Sequence, residues 1–301
     1  MKKLINTIFY LMVFIFLTSC GNSVVELEDT FEPKLVIQAF IFPGSKVSQI
    51  QVTRNFPLNR YPKPSDMIVK DAIVTITDLL TKKEYQMSFN QKELKYEYSG
   101  NDFIIEYDRE YQLKVVGTNL GKSLTVTAIT KTPKKGFSII KEKTVSGNIF
   151  YRQKDENGDV KNLPLVFKLS LGTSFYPISI VALDAKEENF IYDNAYREVK
   201  KDDVIKDLDN YKYRQRLVFN VNPLGEFYEY EIPWTSIWFY GNYRMIVYAA
   251  DENYRLFSLS YKNVQEFDGN FHEPKVTLQG DGIGVFASMI ADTVYFKVNK
   301  K

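Results

Sequence analysis

An aromatic run between Glu226 and Tyr243, EFYEYEIPWTSIWFYGNY, is the part of this chain whose residue types best suit ligand binding. Aromatic faces stack on sugar rings or on apolar partners, and the acidic residues between them would supply hydrogen bonds. The competing interpretation is core packing with a hydrated rim, because aromatic side chains bury the largest apolar area. Core packing is favoured, and any binding surface in the run is expected at Tyr228, Tyr230, Trp234, Trp238 and Tyr240.

Residues suited to catalysis are few. His272 is the only histidine, so a Ser-His-Asp triad could form only around it, and its place beside Glu273-Pro274 is typical of a surface turn. No G-x-S-x-G motif occurs, and zinc needs several His or Cys ligands. A pair of carboxylates for glycoside hydrolysis is not excluded, since a sequence does not show which Asp and Glu residues lie close together in space. No motif points to a particular pair. We therefore expect a non-enzymatic protein with no cofactor and no metal.

Two short motifs resemble ligand loops but fit turns better. Asp155-x-Asn157-x-Asp159 has the oxygen spacing of a calcium loop, but Gly158 is misplaced and the final Glu is missing, so a hairpin turn is favoured. Gly280-x-Gly282-x-Gly284 lacks the Lys and Ser/Thr of a phosphate loop. It predicts a flexible turn that enters a strand.

The single cysteine, Cys20, lies directly after an apolar run near the start of the chain. Lys2 and Lys3 precede that run, and the run is too short for a membrane span of about 20 apolar residues. Leu17-Thr18-Ser19-Cys20 resembles the bacterial lipobox, in which the thiol is acylated before cleavage. An accidental cysteine after an ordinary signal is the alternative. The residue after the cysteine is Gly21 and not Asp, which favours sorting to the outer membrane. The sequence does not decide whether the protein faces the periplasm or the cell surface.

Composition limits the class of the exported part. Hydrophobic residues are 45% and charged residues 25%, which is typical of a globular protein with a sizeable core. No cysteine follows Cys20, so the folded part has no disulfide. The net charge of +2 gives no reason to expect a nucleic-acid partner.

The pattern along the chain predicts a mostly β fold. Residues 1–19 are assigned to a lipoprotein signal peptide and 20–33 to a lipidated tether. Short runs of alternating apolar and polar residues predict an immunoglobulin-like or prealbumin-like β-sandwich over 34–131. After the Pro133 to Gly136 turn, residues 137–301 are assigned to a larger β-rich domain, with a final strand pair across Gly282 to Val298. A short helix is expected from Asp251 to Val264, with Asp251 as its cap.

Four segments resemble signatures of one uncharacterised bacterial lipoprotein family, domain-of-unknown-function family four-two-four-nine. They are KLVIQAFIF from Lys34, VKDAIVTITD ending at Asp78, EYQLKVVGTNLGKSLTVTAIT from Glu110, and FHEPKVTLQGDGIGVFAS ending at Ser288. Members are encoded beside TonB-dependent outer-membrane receptors. The resemblance implies an accessory to nutrient uptake at the outer membrane, and it assigns no residue a catalytic role.

Two functions are therefore expected from the sequence. The first is a non-enzymatic accessory that is held on the membrane by its lipid and docks on, or presents ligand to, a TonB-dependent receptor. The alternative is a surface lipoprotein that binds glycans on its own through the aromatic run.

Overall fold

The structure, a computed structural model, describes residues 31–57, 60–194, 200–263 and 277–300. The signal segment, Cys20 and His272 therefore lie outside the described residues. The described chain is mostly β with a few short helices, which confirms the predicted fold class. None of its helices is long and apolar enough to cross a membrane.

The first seven strands form the N-terminal unit, and most of them alternate buried and exposed residues. The pattern is clearest in β6, where Tyr111, Leu113 and Val115 are buried. The strands are β1 (Leu35–Ile41), β2 (Gln49–Arg54), β3 (Ile73–Asp78), β4 (Glu84–Asn90), β5 (Lys95–Glu97), β6 (Glu110–Asn119) and β7 (Lys122–Lys131), with a short helix α1 (Pro64–Met67) between β2 and β3.

The remaining strands form the C-terminal unit and the link to the first. They are β8 (Ser138–Ile139), β9 (Gly147–Phe150), β10 (Leu163–Lys168), β11 (Tyr176–Ala182), β12 (Tyr213–Val218), β13 (Phe227–Ile232), β14 (Gly241–Ala250), β15 (Gln279–Gly280) and β16 (Gly282–Asn299). The helices are α2 (Lys201–Lys206), α3 (Leu208–Lys212) and α4 (Glu252–Asn263).

Strand pairing gives one large mixed sheet and one small sheet. Within the described residues the large sheet has the order β12-β11-β14-β16-β1-β2-β5-β4-β3-β6-β7-β15, and β9 also pairs with β16. The small sheet has the order β13-β10-β8 and faces the C-terminal part of the large one across a shared core. A second core lies inside the N-terminal unit, so the architecture is sandwich-like in both units.

One strand, β16, runs through both units. The sequence predicts two strands across Gly282 to Val298, and this prediction is wrong, because the structure has one continuous strand of 18 residues. No turn-forming residue interrupts it at Ala287-Ser288-Met289, where it changes partners. Gly282 to Ser288 pair in parallel with β1, and Met289 to Val298 pair antiparallel with β14. The first half of β16 thus belongs to the sheet of the N-terminal unit, although the sequence assigns it to the second domain.

The glycine motif shapes the start of β16. Gly280 has φ +88°, and the chain turns there from β15 into β16, which confirms the predicted turn. Gly282 lies against Val126, where an added Cβ would be 2.5 Å from the valine Cγ2. The glycines therefore allow close contact between strands.

Helix α4 lies close to the predicted segment, and its predicted cap is confirmed. The carboxylate Oδ1 of Asp251 accepts a hydrogen bond from the amide of Tyr254 at 3.0 Å. The Tyr254 ring contacts Phe40 of the N-terminal unit and Phe175 of the C-terminal unit, with centroids 5.6 and 5.9 Å apart. This helix therefore ties the two units together.

Asp251 also lies at the contact between the units. The Thr130 hydroxyl of β7 donates to its Oδ2, and its amide donates to the Ser288 carbonyl of β16 at 3.0 Å. Burial of the carboxylate raises the pKa of Asp251 to about 7, and the hydrogen bonds from Thr130 and Tyr254 offset only part of that effect.

We expect the contribution of Asp251 to the free energy of unfolding to fall as the pH rises from about 4 to 7. The folded state keeps a proton on Asp251 up to pH 7, whereas the unfolded carboxyl loses it near 3.8, so the folded state binds more protons in that window. Asp251→Asn cannot titrate and should be more stable than the parent by about 2 kcal/mol at pH 8. At pH 4 the two proteins should be equally stable.

Urea unfolding of both proteins at pH 4.5 and 8 measures this difference. Asp202→Asn on the exposed first turn of α2 removes the same charge and serves as the control. A stability difference between Asp251→Asn and the parent that stays constant with pH would show that Asp251 is ionised throughout.

Candidate functional site

The aromatic run spans an edge strand, a turn and the start of the next strand. It begins in β13, which pairs with β10 at the edge of the small sheet. Tyr228 and Tyr230 of β13 are half-buried and pack against the C-terminal core, and Tyr228 lies 5.5 Å from the ring of Phe167. A 3-10 turn, Trp234–Ser236, then takes the chain towards β14.

Trp238 is part of the core and cannot belong to a surface platform. It is 4% exposed, and its ring lies 5.8 Å from Phe190 and 5.1 Å from Tyr211. Its carbonyl accepts a hydrogen bond from the amide of Ile191 at 2.9 Å, which holds this stretch inside the fold. The core-packing interpretation therefore holds for Trp238, and the binding-surface assignment of this residue is corrected.

Trp234 and Tyr240 come together around a third aromatic residue, Tyr151, which follows β9. The Tyr151 ring lies edge-on to Trp234 at 5.8 Å and to Tyr240 at 6.0 Å. Both predicted residues are half-buried, so each retains exposed ring surface. We call these three residues and the adjoining cavity the aromatic cleft.

The aromatic cleft has a volume of about 250 Å³. Its polar wall carries Arg152, Gln153, Lys161 and Asn162, and Phe150, which is 51% exposed, stands at its rim. The apolar wall consists of Val145, Ile149, Leu163, Pro164, Ile237 and Val298. Apolar walls with a few polar groups are typical of sites for small ligands or for a single side chain of a partner.

Charged groups surround the aromatic rings. The Arg152 guanidinium lies 5.2 Å from the centroid of Trp234, and the Lys300 ammonium lies 5.1 Å from that of Tyr240. Burial raises the pKa of Tyr151, and the nearby charge of Asp193 raises it further. The Tyr151 hydroxyl is therefore neutral at physiological pH, and it is buried behind the ring surface that lines the cleft.

Tyr151→Phe should leave the free energy of unfolding unchanged or raise it by up to about 1 kcal/mol. The reason is that the Tyr151 hydroxyl is buried without a hydrogen-bond partner among the described residues, so its removal breaks no bond. Urea unfolding of the two proteins tests this. A loss of several kcal/mol would contradict this and would mean that the hydroxyl is hydrogen-bonded within the protein.

The aromatic cleft lies at one end of β16. The amide of Tyr151 donates to the carbonyl of Asn299, the last residue of β16, at 3.1 Å. The other end of β16 lies beside the start of β1, where the amide of Leu35 donates to the carbonyl of Asp281 at 2.9 Å. At 3.3 Å per residue, this 18-residue strand spans at most about 60 Å between the first folded strand and the cleft.

Sequence reasoning missed half of this site. Phe150, Tyr151 and Arg152 are adjacent in the chain, but a single aromatic pair beside an arginine carries no specific signal. They reach Trp234 because β9 pairs in parallel with the end of β16 and β13 pairs with β10. Of the five residues predicted as a binding surface, only Trp234 and Tyr240 belong to the aromatic cleft.

The predicted turn at Asp155 is present as a hairpin. The Asp155 Oδ1 accepts hydrogen bonds from the amides of Asn157 and Asp159, both at 2.9 Å, and Gly158 has φ +87°. That carboxylate oxygen is thus used to close the turn. Within the described ranges, no group of three or more His, Cys, Asp or Glu side chains is placed to hold a metal ion.

Comparisons with known proteins identify a family but not an activity. No curated protein matches the chain significantly. Among solved structures, a tetra-tandem repeat in the extending region of a large adhesion protein is 8% identical, with 87% of this chain and 49% of that chain covered and a TM-score of 0.22. A 1.5-MDa bacterial ice-binding adhesin, in a study of its host cell surface retention, is 11% identical, with 90% and 65% covered and a TM-score of 0.22.

This chain therefore spans about half to two thirds of those structures, and such low TM-scores carry no inference about function. The family model, in contrast, identifies the chain, because its match covers residues 22–285 and therefore most of the chain. The chain belongs to the family described as Domain of unknown function (DUF4249).

Proposed function

We propose that this protein is a non-enzymatic outer-membrane lipoprotein that presents its aromatic cleft to a TonB-dependent nutrient receptor. The observation that carries the proposal is the placement of the cleft at the end of β16 remote from the start of β1. A lipid on Cys20 would attach the chain at the β1 end. The cleft would then face away from the membrane surface, where a partner can reach it.

The anchor rests on the start of the sequence. Lys2 and Lys3, the apolar run and Leu17-Thr18-Ser19-Cys20 match a signal whose cysteine is acylated. The diacylglycerol and amide-linked chains of such a lipoprotein exceed the two signals that stable anchoring needs. The tether up to Pro33 would add reach of about 40 Å at 3.3 Å per residue.

The residues of the aromatic cleft support a protein partner. Tryptophan and arginine are among the residue types that contribute most to binding at protein interfaces, and here the exposed Arg152 lies over the half-buried Trp234 ring. Phe150 at the rim exposes half of its surface. A cleft of about 250 Å³ fits one or two side chains from a receptor loop.

A second candidate function is glycan binding at the same cleft. The Trp234 ring could stack on a sugar, and Gln153, Lys161 and Asn162 could bond its hydroxyls. In this case the purified protein would bind a glycan without any receptor.

Affinity purification from detergent-extracted membranes tests the proposal. The tag must avoid the C-terminus, because Asn299 and Lys300 lie at the cleft. The exposed turn between β4 and β5 is a better position. We expect mass spectrometry to find a large β-barrel receptor in near-equal amount with the parent protein, and at least tenfold less with Phe150→Ala and Arg152→Ala together.

The control is Phe227→Ala, because this residue is also about half exposed but lies on the outer side of β13. It should retain the receptor. If the protein is recovered alone, the receptor proposal fails, and retention on a glycan panel that is lost with Trp234→Ala would favour the second candidate. Radiolabelled palmitate on the parent protein, absent from Cys20→Ser, tests the anchor separately.

A further inference from the structure

The point at which the tether joins the folded part is fixed by two asparagines. The Lys34 amide donates to Oδ1 of Asn55 at 2.7 Å, and Asn55 Nδ2 donates to the carbonyl of Glu32 at 2.9 Å. The Asn119 side chain, which is fully buried, donates to the carbonyl of Lys34 at 3.2 Å and to Oδ1 of Asn55 at 3.0 Å. The surface around Asn119 is therefore the surface nearest to the tether.

A basic cleft of about 390 Å³ opens beside Asn119. Arg54, Arg60 and Lys70 line it, together with the carboxylates of Asp66 and Asp71. Two further exposed lysines, Lys63 and Lys122, flank it in the chain next to α1 and at the tip of the β6-β7 hairpin. Five basic and two acidic side chains leave three net positive charges here, more than the +2 of the whole chain.

Among the described residues, the cations of the basic cleft have no direct ion-pair partner, although the carboxylates of Asp66 and Asp71 share the cleft. None of Arg54, Arg60 and Lys70 forms an ion pair there. The Nε of Arg54 is buried and has no hydrogen-bond acceptor among these residues, and the Arg60 guanidinium lies 5.3 Å from the ring centroid of Phe56. Guanidinium and ammonium groups that line one cleft without ion pairs suit an anion such as a phosphate.

Exposed apolar side chains stand around the same cleft. Tyr61, next to Arg60, is 96% exposed, and Leu120, at the tip of the β6-β7 hairpin, is 55% exposed. Met67 of α1 is 39% exposed. Tyrosine and aliphatic tips interspersed with Lys and Arg are typical of surfaces that lie at the boundary between lipid headgroups and acyl chains.

We propose that this end of the molecule rests on the anionic headgroups of the leaflet that carries the lipid anchor. The inference rests on the proposed anchor at Cys20, since the tether brings this surface to the membrane. A lipid phosphate would occupy the basic cleft, and Tyr61 and Leu120 would enter the headgroup layer. We call the surface the tether-end face, formed by Arg54, Phe56, Arg60, Tyr61, Lys70 and Leu120.

The tether-end face would give the anchored protein a fixed orientation. With this face on the membrane, the aromatic cleft at the far end of β16 points into the aqueous phase. A tether alone would allow the folded part to tumble. The tether-end face thus holds the aromatic cleft away from the lipid, as the proposed receptor interaction requires.

Vesicle sedimentation of the chain from residue 20 with Cys20→Ser tests the inference without any lipid anchor. Each basic residue near an anionic surface contributes roughly fivefold in affinity. We expect binding to phosphatidylcholine vesicles that contain phosphatidylglycerol but not to pure phosphatidylcholine, with loss of binding at high salt. Arg60→Ala with Lys70→Ala should weaken binding by about 30-fold. Lys114→Ala with Lys168→Ala, which removes equal charge from exposed positions elsewhere, should not change it.

The outcomes separate the sources of phosphate and the two proposals. Full competition by inorganic phosphate would identify a site for a free anion and overturn the membrane inference. Absence of vesicle binding, or equal losses in both double variants while circular dichroism shows intact folding, would also overturn it. Because the protein in this assay has no lipid, the result is independent of whether palmitate labels Cys20.

Discussion

Alanine in place of Gly284 is expected to abolish folding or to lower the free energy of unfolding by more than about 4 kcal/mol. Gly284 lies in β16 opposite Ile37 of β1, and an added Cβ would be 2.0 Å from the carbonyl oxygen of Ile37. That oxygen belongs to the backbone of a strand held between β2 and β16, so it cannot move aside. The residue also has φ +117°, a conformation that side chains with a Cβ rarely adopt.

Gly136→Ala is the matched control for this prediction. Gly136 has a similar φ of +131°, but nothing lies within 4 Å of its added Cβ. It should therefore show the backbone strain alone, about 1 to 2 kcal/mol. Urea unfolding measures both variants, and a loss in Gly284→Ala no larger than that in Gly136→Ala would mean that β1 and β16 are not as close as described.

The second large effect is expected at Trp238, whose replacement by alanine should cost about 3 to 5 kcal/mol of folding free energy. Its ring fills the C-terminal core between Phe190 and Tyr211, so truncation leaves a cavity there. Trp234→Ala should cost less than half as much, because Trp234 is half-buried at the aromatic cleft.

The two tryptophans should also separate stability from binding. Trp234→Ala should lose receptor or glycan binding while it remains folded. Chemical unfolding of both variants, together with the affinity purification, tests this division of roles. Equal losses of stability at the two positions would contradict the described burial of Trp238.

Local patterns were sufficient to predict most strands. In β6 and β7 the alternation of apolar and polar residues continues over ten residues each, and both strands lie within the segment 34–131 that was predicted as a β-sandwich. The helix behind Asp251 was predicted for the same reason, since its cap and its aromatic spacing are local features. Burial on one face of a strand or helix leaves a periodic signal that a single sequence shows.

Long-range pairing was not predictable in this way. β16 pairs with β1 through its first half and with β14 through its second half, and no residue type marks the exchange at Ser288. The aromatic cleft depends on such pairings, because Tyr151 and Trp234 lie on elements that are distant in the chain. The two tryptophans also differ in burial, because Trp234 is half-buried and Trp238 is 4% exposed. They have the same residue type and lie four residues apart in the chain, so the sequence alone does not distinguish them.

In-cell photo-crosslinking at the cleft tests the central claim most directly, namely that the end of the molecule remote from the anchor contacts a receptor. A photoreactive phenylalanine analogue would replace Phe150 at the cleft rim or, in separate cells, Leu80, which is 72% exposed in the N-terminal unit. We predict a crosslinked product with an outer-membrane β-barrel receptor from position 150 and none from position 80. No receptor product from position 150, or equal products from both positions, would contradict the account.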